Sequence, residues 1–311
     1  MSTFTESIPS APPHNRPIAI WLLICCAMVF AMVVIGGITR LTESGLSIAE
    51  WRPVAGIVPP MSEAEWQRQF ALYQQTPEYQ QINLGMTLAE FKGIYWWEYV
   101  HRLWGRLIGL VFALPLLWFY LRDRIPPGLG PHLLAMLVLG GLQGALGWFM
   151  VQSGLAGRTD VSQYRLAAHL MAAFIIYSYM FWIALTLLRG DAAANSAGAS
   201  RLRLHAWLTT VLAALTIMFG AFVAGLNGGL VHNTFPLMDG RLIPADAFVL
   251  APWWADPLEN PVTAQFSHRW LAIATVAAIL WLWWRARRAS PPGQVALPLN
   301  LLAAMAIVQA G

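Results

Sequence analysis

Long apolar runs separated by polar segments dominate the chain. A helix that spans the hydrocarbon core of a bilayer needs roughly 20 apolar residues, because the core is about 30 Å thick and each helical residue rises about 1.5 Å. Six runs reach that length, and they cover residues 18–38, 94–120, 132–152, 166–188, 204–226 and 263–284. A seventh begins at Val295 and is cut off at Gly311. The pattern predicts an all-α, polytopic membrane helical bundle.

Composition and charge locate this bundle in a membrane and orient it. The chain is 58% hydrophobic and only 11% charged, which is too apolar for a soluble globular protein. With a cytoplasmic tail at residues 1–17, basic residues outnumber acidic ones on the cytoplasmic side, as the positive-inside rule requires. Those basic residues are Arg16, Arg122, Arg124, Arg189, Arg201, Arg203, Arg285, Arg287 and Arg288. The sequence predicts a multi-pass protein of a bacterial inner membrane and gives no indication of nucleic-acid binding.

Two long outer loops, residues 39–93 and 227–262, are candidates for function because long ordered loops usually carry it. The first loop contains two capping boxes, Ser62-x-x-Glu65 and Thr87-x-x-Glu90. It also contains Thr76-Pro77, which is typical of a helix start with proline at the first position. The loop is therefore predicted to contain short helices.

An internal repeat is visible in the sequence. At an offset of 184 residues, Gly36, Gly45, Leu46, Gly56 and Pro60 recur as Gly220, Gly229, Leu230, Gly240 and Pro244. His101-Arg102 recurs as His268-Arg269, and Gln143 recurs as Gln309. We expect two pseudo-symmetric four-helix repeats, with residues 18–190 as the first bundle and residues 201–311 as a second, incomplete one. A partner for His169 in the second copy would lie near position 335, which the chain does not reach.

Three histidines inside predicted spans are candidate haem ligands. His101, His169 and His268 each lie several residues into a span that runs from the outside to the inside, so we expect them at a similar depth. Two facing imidazoles on neighbouring helices are a usual arrangement for b-type haem. The alternative for each is a hydrogen-bonded core histidine. The other histidines are weaker candidates, and they are His14, His132, His205 and His232.

Arginines beside these histidines are candidate partners for haem propionates, since a guanidinium group matches a carboxylate in two-point contact. Arg102 and Arg269 directly follow their histidines, and Arg165 lies one turn before His169. Arg40, at the end of the first span, is a fourth candidate. The alternative is that these side chains extend to lipid headgroups.

Glu98 is the candidate catalytic carboxylate. It lies three residues before His101, so we expect both side chains on one helix face and directed at one pocket. The residue three before His268 is Gln265, an amide. A carboxylate can move protons and an amide cannot, which favours chemistry in the first copy and electron storage or relay in the second. A structural glutamate is the alternative.

Three stretches resemble the heme A synthase family. They are EFKGIYWWEYVHRLWGRLIG at residues 90–109, NTFPLMDGRLIP at 233–244 and GGITRLTESGLSI at 36–48. The resemblance implies eight transmembrane helices in two bundles, with His101 and His169 flanking the substrate haem O. It also implies Glu98 as the catalytic group and His268 as one ligand of a haem b cofactor. The sequence differs from the family pattern in lacking the outer-loop cysteine pairs of some members and, unless it is a fragment of a longer protein, the eighth helix with the fourth histidine.

The activity implied by this resemblance is oxidation of the C8 methyl group of haem O to the formyl group of haem A through a hydroxylated intermediate. A membrane electron carrier with two b-type haems remains the alternative, and a haem or quinone transporter is a third. Candidate partners besides haem O and the lipid bilayer are a haem O synthase, a quinone or another redox protein, and a second copy of the chain.

Overall fold

The computed structural model describes residues 15–52, 55–157, 159–189, 197–288 and 293–310. Most of the predicted cytoplasmic tail, residues 1–14, lies outside the described residues. Secondary structure in the described part is helical apart from one isolated bridge between Met238 and Arg241. The prediction of an all-α membrane protein is therefore confirmed at this level.

Seven long helices account for the seven apolar runs. They are α1 (Arg16–Leu41), α4 (Leu88–Leu121), α5 (Gly130–Leu155), α6 (Gln163–Arg189), α7 (Ala197–Gly225), α9 (Pro261–Arg288) and α10 (Gly293–Ala310). The first six are long and apolar enough to cross a membrane. The apolar part of α10, Val295–Gln309, is shorter. The six predicted spans thus correspond to six helices, each somewhat longer than its apolar run.

Local capping explains where the helices of the first outer loop begin. That loop contains α2 (Glu63–Tyr73) and α3 (Pro77–Gln81), and the second contains the short α8 (Asp256–Glu259). Both predicted capping boxes are present, at Ser62 before α2 and at Thr87 before α4. Thr76 caps α3 by accepting a hydrogen bond from the backbone N–H of Tyr79. These predictions are confirmed. They could be made from the sequence because each cap involves only residues that are close in the chain.

The chain divides into two compact units, Met1–Asp191 and Ala192–Gly311. In the first unit, α1 and α5 each pack against both α4 and α6, so α4 and α6 face one another across a four-helix bundle. The core at one end contains Trp21, whose ring lies 5.0 Å from that of Phe112 and whose Nε1 donates to the Val111 carbonyl at 2.8 Å. Cys25 and Cys26 are buried in the same core.

An aromatic cluster attaches the first outer loop to α4. Its buried members are Ile48, Trp66, Phe70, Tyr73, Phe91, Tyr95 and Tyr99. Both the loop and α4 contribute rings to this cluster, so burial of the rings holds the loop segment around Ile48 beside the N-terminal half of α4. This is the half of α4 that carries Glu98 and His101.

The second unit is built around α9, which packs against α7, α8 and α10. Its outer loop is fastened by Asp256, a buried residue that accepts hydrogen bonds from the Thr263 hydroxyl at 2.5 Å and from the backbone N–H of Leu250. Thr263 in turn accepts from the backbone N–H of Phe248 at 3.0 Å. The loop is thereby anchored to the first turn of α9, the helix that carries His268.

Candidate functional site

His101 and His169 come from the two facing helices of the first unit. His101 lies on α4 and His169 on α6, and the two imidazoles are close enough to interact electrostatically. The Gln143 side chain on α5 contacts His169, with its Nε2 3.3 Å from the imidazole Nδ1. The same Nε2 donates to the His169 carbonyl at 2.9 Å. The structure therefore brings together the two first-bundle histidines selected from the sequence.

His268 of the second unit has a defined ring orientation. Its Nδ1 lies 2.9 Å from the backbone carbonyl of Thr216 on α7. A carbonyl only accepts, so Nδ1 must be the protonated nitrogen, and Nε2 then carries the free lone pair. A histidine that ligates a metal commonly has this second hydrogen bond.

The Glu98 carboxylate is buried, 2% exposed, and is fully engaged by neighbouring groups. It accepts hydrogen bonds from the Ser47 hydroxyl and the Ile48 N–H, both at 2.7 Å, and forms an ion pair with Arg102 at 2.6 Å. Glu98 and His101 lie three residues apart on one helix, as the sequence indicates. That spacing does not predict which residues of the outer loop contact Glu98. The carboxylate thus joins α4 to the loop segment that follows α1.

Arg102 also binds the loop segment around Ile48. Its guanidinium donates to the carbonyls of Ile48 at 3.0 Å and Glu50 at 3.4 Å, and it lies 5.5 Å from the centre of the Trp51 ring. A cavity of about 170 Å³ opens beside it. The charged residues lining this cavity are Glu50, Arg52, Glu65, Arg68, Arg102 and Arg106.

Arg269 makes the corresponding contacts in the second unit. It donates to the carbonyls of Thr234 at 2.7 Å and His232 at 3.2 Å, and it lies 5.8 Å from the centre of the Phe235 ring. The three loop positions are those contacted by Arg102 shifted by 184 residues, the offset of the sequence repeat. Two arginines that follow a histidine thus contact equivalent loop positions.

Two further candidate arginines have different surroundings. Arg40 forms an ion pair with Asp160 at 3.2 Å. The guanidinium carbon of Arg165 lies 4.7 Å from the centre of the Phe149 ring. Both residues belong to the first unit, and each already contacts a partner from another part of it.

Gln265 differs from Glu98 in its surroundings as well as in its chemistry. It is 9% exposed, and its buried Oε1 has no hydrogen-bond partner among the described residues. An unsatisfied buried acceptor is uncommon and costs free energy, and the described residues supply no donor for this one.

Comparison with known proteins identifies the family. The family model described as COX15-CtaA, cytochrome oxidase assembly protein, matches residues 19–311. The chain belongs to this family. It is 52% identical over 308 residues to a heme A synthase of Rhodospirillum centenum, covering 97% of the chain and 82% of that relative. It is 48% identical over 314 residues to a heme A synthase of Nitrosomonas eutropha, covering 99% and 88%. No solved structure matches.

Membership of the COX15-CtaA family confirms the resemblance stated above, and every candidate site residue lies within the matched range. The described residues contain no group of three His, Cys, Asp or Glu side chains arranged to hold a single metal ion. Haem needs no such group, because the porphyrin supplies four ligands and the protein adds only one imidazole on each side. The histidine arrangement therefore fits haem better than a bare metal ion.

Two titratable groups outside the predicted set have unusual surroundings. His232, in the second outer loop, lies between Asp239, 2.6 Å from its Nδ1, and Asp246, 3.1 Å from its Nε2. Hydrogen bonds to Asp246 and Asp239 raise the pKa of the His232 imidazole. Glu78 on α3 is 5% exposed, and burial raises its pKa to about 8. The aspartate partners of His232 lie 7 and 14 residues away in sequence, so no local pattern indicates these contacts.

Proposed function

We propose that this protein is a heme A synthase, a membrane oxidoreductase that oxidises the C8 methyl group of haem O to the formyl group of haem A through a hydroxylated intermediate. The observation that carries the proposal is the identity of about half the residues, over nearly the whole chain, to proteins of that name. The multi-pass helical fold, with histidines inside the helices, is consistent with a substrate that is apolar and contains iron.

In this proposal, His101 and His169 would hold the iron of the substrate haem O. Their placement on the facing helices α4 and α6, close enough to interact electrostatically, supports this assignment. Arg40, Arg102, Arg165 and Arg269 remain candidates for the haem propionates. Arg102 would then exchange or share its contacts with Glu98 and the Ile48 carbonyl, whereas Arg165 already lies one turn from His169.

The second unit would hold haem b, with His268 as one ligand. The hydrogen bond from Nδ1 to the Thr216 carbonyl supports this role, because it leaves Nε2 as the free nitrogen. Haem b, when bound, supplies one-electron redox chemistry. Gln265 contributes a neutral amide with a free acceptor beside this histidine, and it would orient a donor without taking up a proton.

Glu98 is proposed as the proton-handling carboxylate of the first unit. Conversion of a methyl group to an alcohol and then to an aldehyde is two successive two-electron oxidations. The electrons would pass to an acceptor such as a quinone or a redox protein, and a base within the same bundle can accept protons that leave the substrate. Arg102 is its counter-ion, and Ser47 and the Ile48 N–H hold the carboxylate in one orientation. A fixed orientation is what an acid or base needs in order to act at one atom of the substrate.

We further propose that the two units are pseudo-symmetric repeats and that the protein lies in a bacterial inner membrane with a cytoplasmic N-terminus. Arg102 and Arg269 donate to carbonyls of loop residues that lie 184 positions apart in the sequence, and these matching contacts support the repeat. The excess of arginine in the connections assigned to the cytoplasm supports the orientation.

A second candidate function, a non-catalytic carrier with two b-type haems, is favoured by one observation. The Glu98 carboxylate is already satisfied by three donors, as a purely structural residue would be. The two functions differ in what happens to the porphyrin. The test is to co-express the protein with a source of haem O, extract the haems and separate them by chromatography. Haem A identifies the enzyme, and unchanged haem O with bound haem b identifies the carrier.

A further inference from the structure

Each of the three candidate haem-binding histidines lies against a glycine of a neighbouring helix. A Cβ atom added at Gly147 on α5 would lie 2.9 Å from Cε1 of His169. One added at Gly220 on α7 would lie 3.0 Å from Cε1 of His268. One added at Gly36 on α1 would lie 3.3 Å from Nε2 of His101. An added Cβ at Gly147 would therefore require the imidazole to move, and one at Gly220 or Gly36 would require the ring to give by a few tenths of an ångström.

Gly147 and Gly220 have similar local surroundings. On α5, Gln143 contacts His169 and Gly147 follows one turn later. On α7, the carbonyl of Thr216 accepts from His268, and Gly220 follows one turn later. Residues four apart lie on the same helix face, so each imidazole is held by a polar group and confined by bare backbone one turn away. The polar contact limits rotation of the ring, and the glycine determines how closely the ring approaches the helix.

We propose that Gly36, Gly147 and Gly220 are positioning residues that set the orientation of the imidazoles at the haem iron. This inference rests on the proposed function, in which these histidines are the iron ligands. An added methyl group meets the end of a flexible side chain, not backbone, so the imidazole would turn away while the helices keep their packing. The effect should therefore appear in haem binding and in the haem spectrum, with little change in folding.

The chain supplies matched controls on the same helices. Gly37 on α1 and Gly141 on α5 are exposed, and an added Cβ at either would meet nothing within 4 Å. Gly→Ala at these positions makes the same gain in helix propensity without touching a histidine. Any difference between Gly147→Ala and Gly141→Ala, or between Gly36→Ala and Gly37→Ala, is then due to the contact with the ring.

The experiment purifies the full chain and each variant from membranes with haem bound. It measures haem per polypeptide, the ferric EPR spectrum and the thermal melting curve. Gly147→Ala and Gly220→Ala should shift the ferric EPR signal of the haem and lower the haem bound per polypeptide, because loss of support for a metal-binding histidine weakens binding at the metal. Gly36→Ala should give the smaller shift, because its contact is longer. The controls should match wild type.

The outcomes separate this inference from the proposed function. If His169→Ala or His268→Ala binds as much haem as wild type, the ligand assignment itself is wrong. If the histidine variants lose haem while all three glycine variants keep the spectrum and haem content of their controls, the ligands stand and the positioning role is refuted. Should Gly147→Ala fail to fold, the milder Gly36→Ala and its control Gly37→Ala decide the question.

Discussion

The buried Glu98 carboxylate joins α4 to the loop segment that follows α1, by accepting hydrogen bonds from Ser47 and from the Ile48 N–H. The spacing of Glu98 and His101 places both on α4, but the partners of the carboxylate come from Ser47 and Ile48, about 50 residues earlier. No local pattern indicates that meeting, because it depends on the aromatic cluster that packs the loop against α4. The sequence therefore predicts which residues are unusual and not what they contact.

Replacing Glu98 by Gln tests the catalytic role and the structural role together. We expect oxidation to stop, with accumulation of haem O or its hydroxylated form, because loss of a positioned base typically costs about 10²- to 10⁴-fold in rate. We also expect lower stability, since removing one partner of a buried ion pair typically costs about 3–5 kcal/mol. The measurements are the ratio of haem A to haem O at equal protein and the melting temperature.

The control for this variant is Glu63→Gln, which changes a carboxylate in the first turn of α2 whose side chain is 66% exposed. It should leave the haem ratio unchanged. A wild-type haem ratio in Glu98→Gln, together with a lower melting temperature, would make Glu98 a structural residue and would favour the electron carrier.

Removal of the first-bundle histidines tests the ligand assignment. His101→Ala or His169→Ala should abolish haem binding in the first unit, because one axial nitrogen of the facing pair is lost. The matched control is His132→Ala. His132 lies on α5 and its Nδ1 contacts the Tyr179 hydroxyl at 2.6 Å, so it already has a polar partner. Haem content and reduced-minus-oxidised spectra provide the measurement, and unchanged values for the first two variants would contradict the assignment.

Whether the local structure of a helix start or a loop can be predicted from the sequence depends on how far apart in the chain its contacting residues lie. Ser62, Thr76 and Thr87 start their helices where the sequence indicates, since a cap involves residues only three positions apart. The second outer loop contains one such cap, at Asn260 before α9, whose side chain accepts from the backbone N–H of Val262 at 2.9 Å. The fold of the rest of this loop depends on contacts such as those of His232 with Asp239 and Asp246, which are separated by 7 and 14 residues. Only a structure brings these side chains together.

The raised pKa of His232 predicts that the second outer loop is more stable at mildly acidic pH. A group whose folded pKa lies above its unfolded value contributes stability that is fully present below the unfolded value and is lost as pH rises through the folded value. The melting temperature of wild type should therefore exceed that of His232→Asn most below the ordinary histidine value of 6.5, while the aspartates are still ionised. The difference should shrink as pH rises.

Asp123→Asn serves as the control for this pH series, because Asp123 lies in the connection between α4 and α5. Its melting temperature should follow that of wild type at every pH. A difference between wild type and His232→Asn that is constant across the pH range would show that the contacts of His232 are not sensitive to its protonation.

At the scale of the whole molecule, hydropathy alone predicted the six long helices, because the bilayer sets both the length and the composition of a spanning helix. The arrangement of these helices was not predictable in the same way. In the first unit, α1 and α5 lie between α4 and α6, and this order places the helices that carry His101 and His169 opposite one another in the bundle. Lipid-facing surfaces tolerate many apolar side chains, so they carry little information about which helices are neighbours.

The proposed topology can be tested by single-cysteine labelling, for which this chain is well suited. Its only two cysteines, Cys25 and Cys26, are 1% and 3% exposed, so the background should be low. A membrane-impermeant maleimide should label Gln67→Cys and Leu242→Cys in intact spheroplasts, because both lie in the outer loops. Asp123→Cys should react only after permeabilisation, because the positive-inside rule places the connection between α4 and α5 in the cytoplasm. Labelling of Asp123→Cys in intact spheroplasts, with protection of the other two, would reverse the orientation and place the outer halves of α4 and α6, with His101 and His169, on the cytoplasmic side.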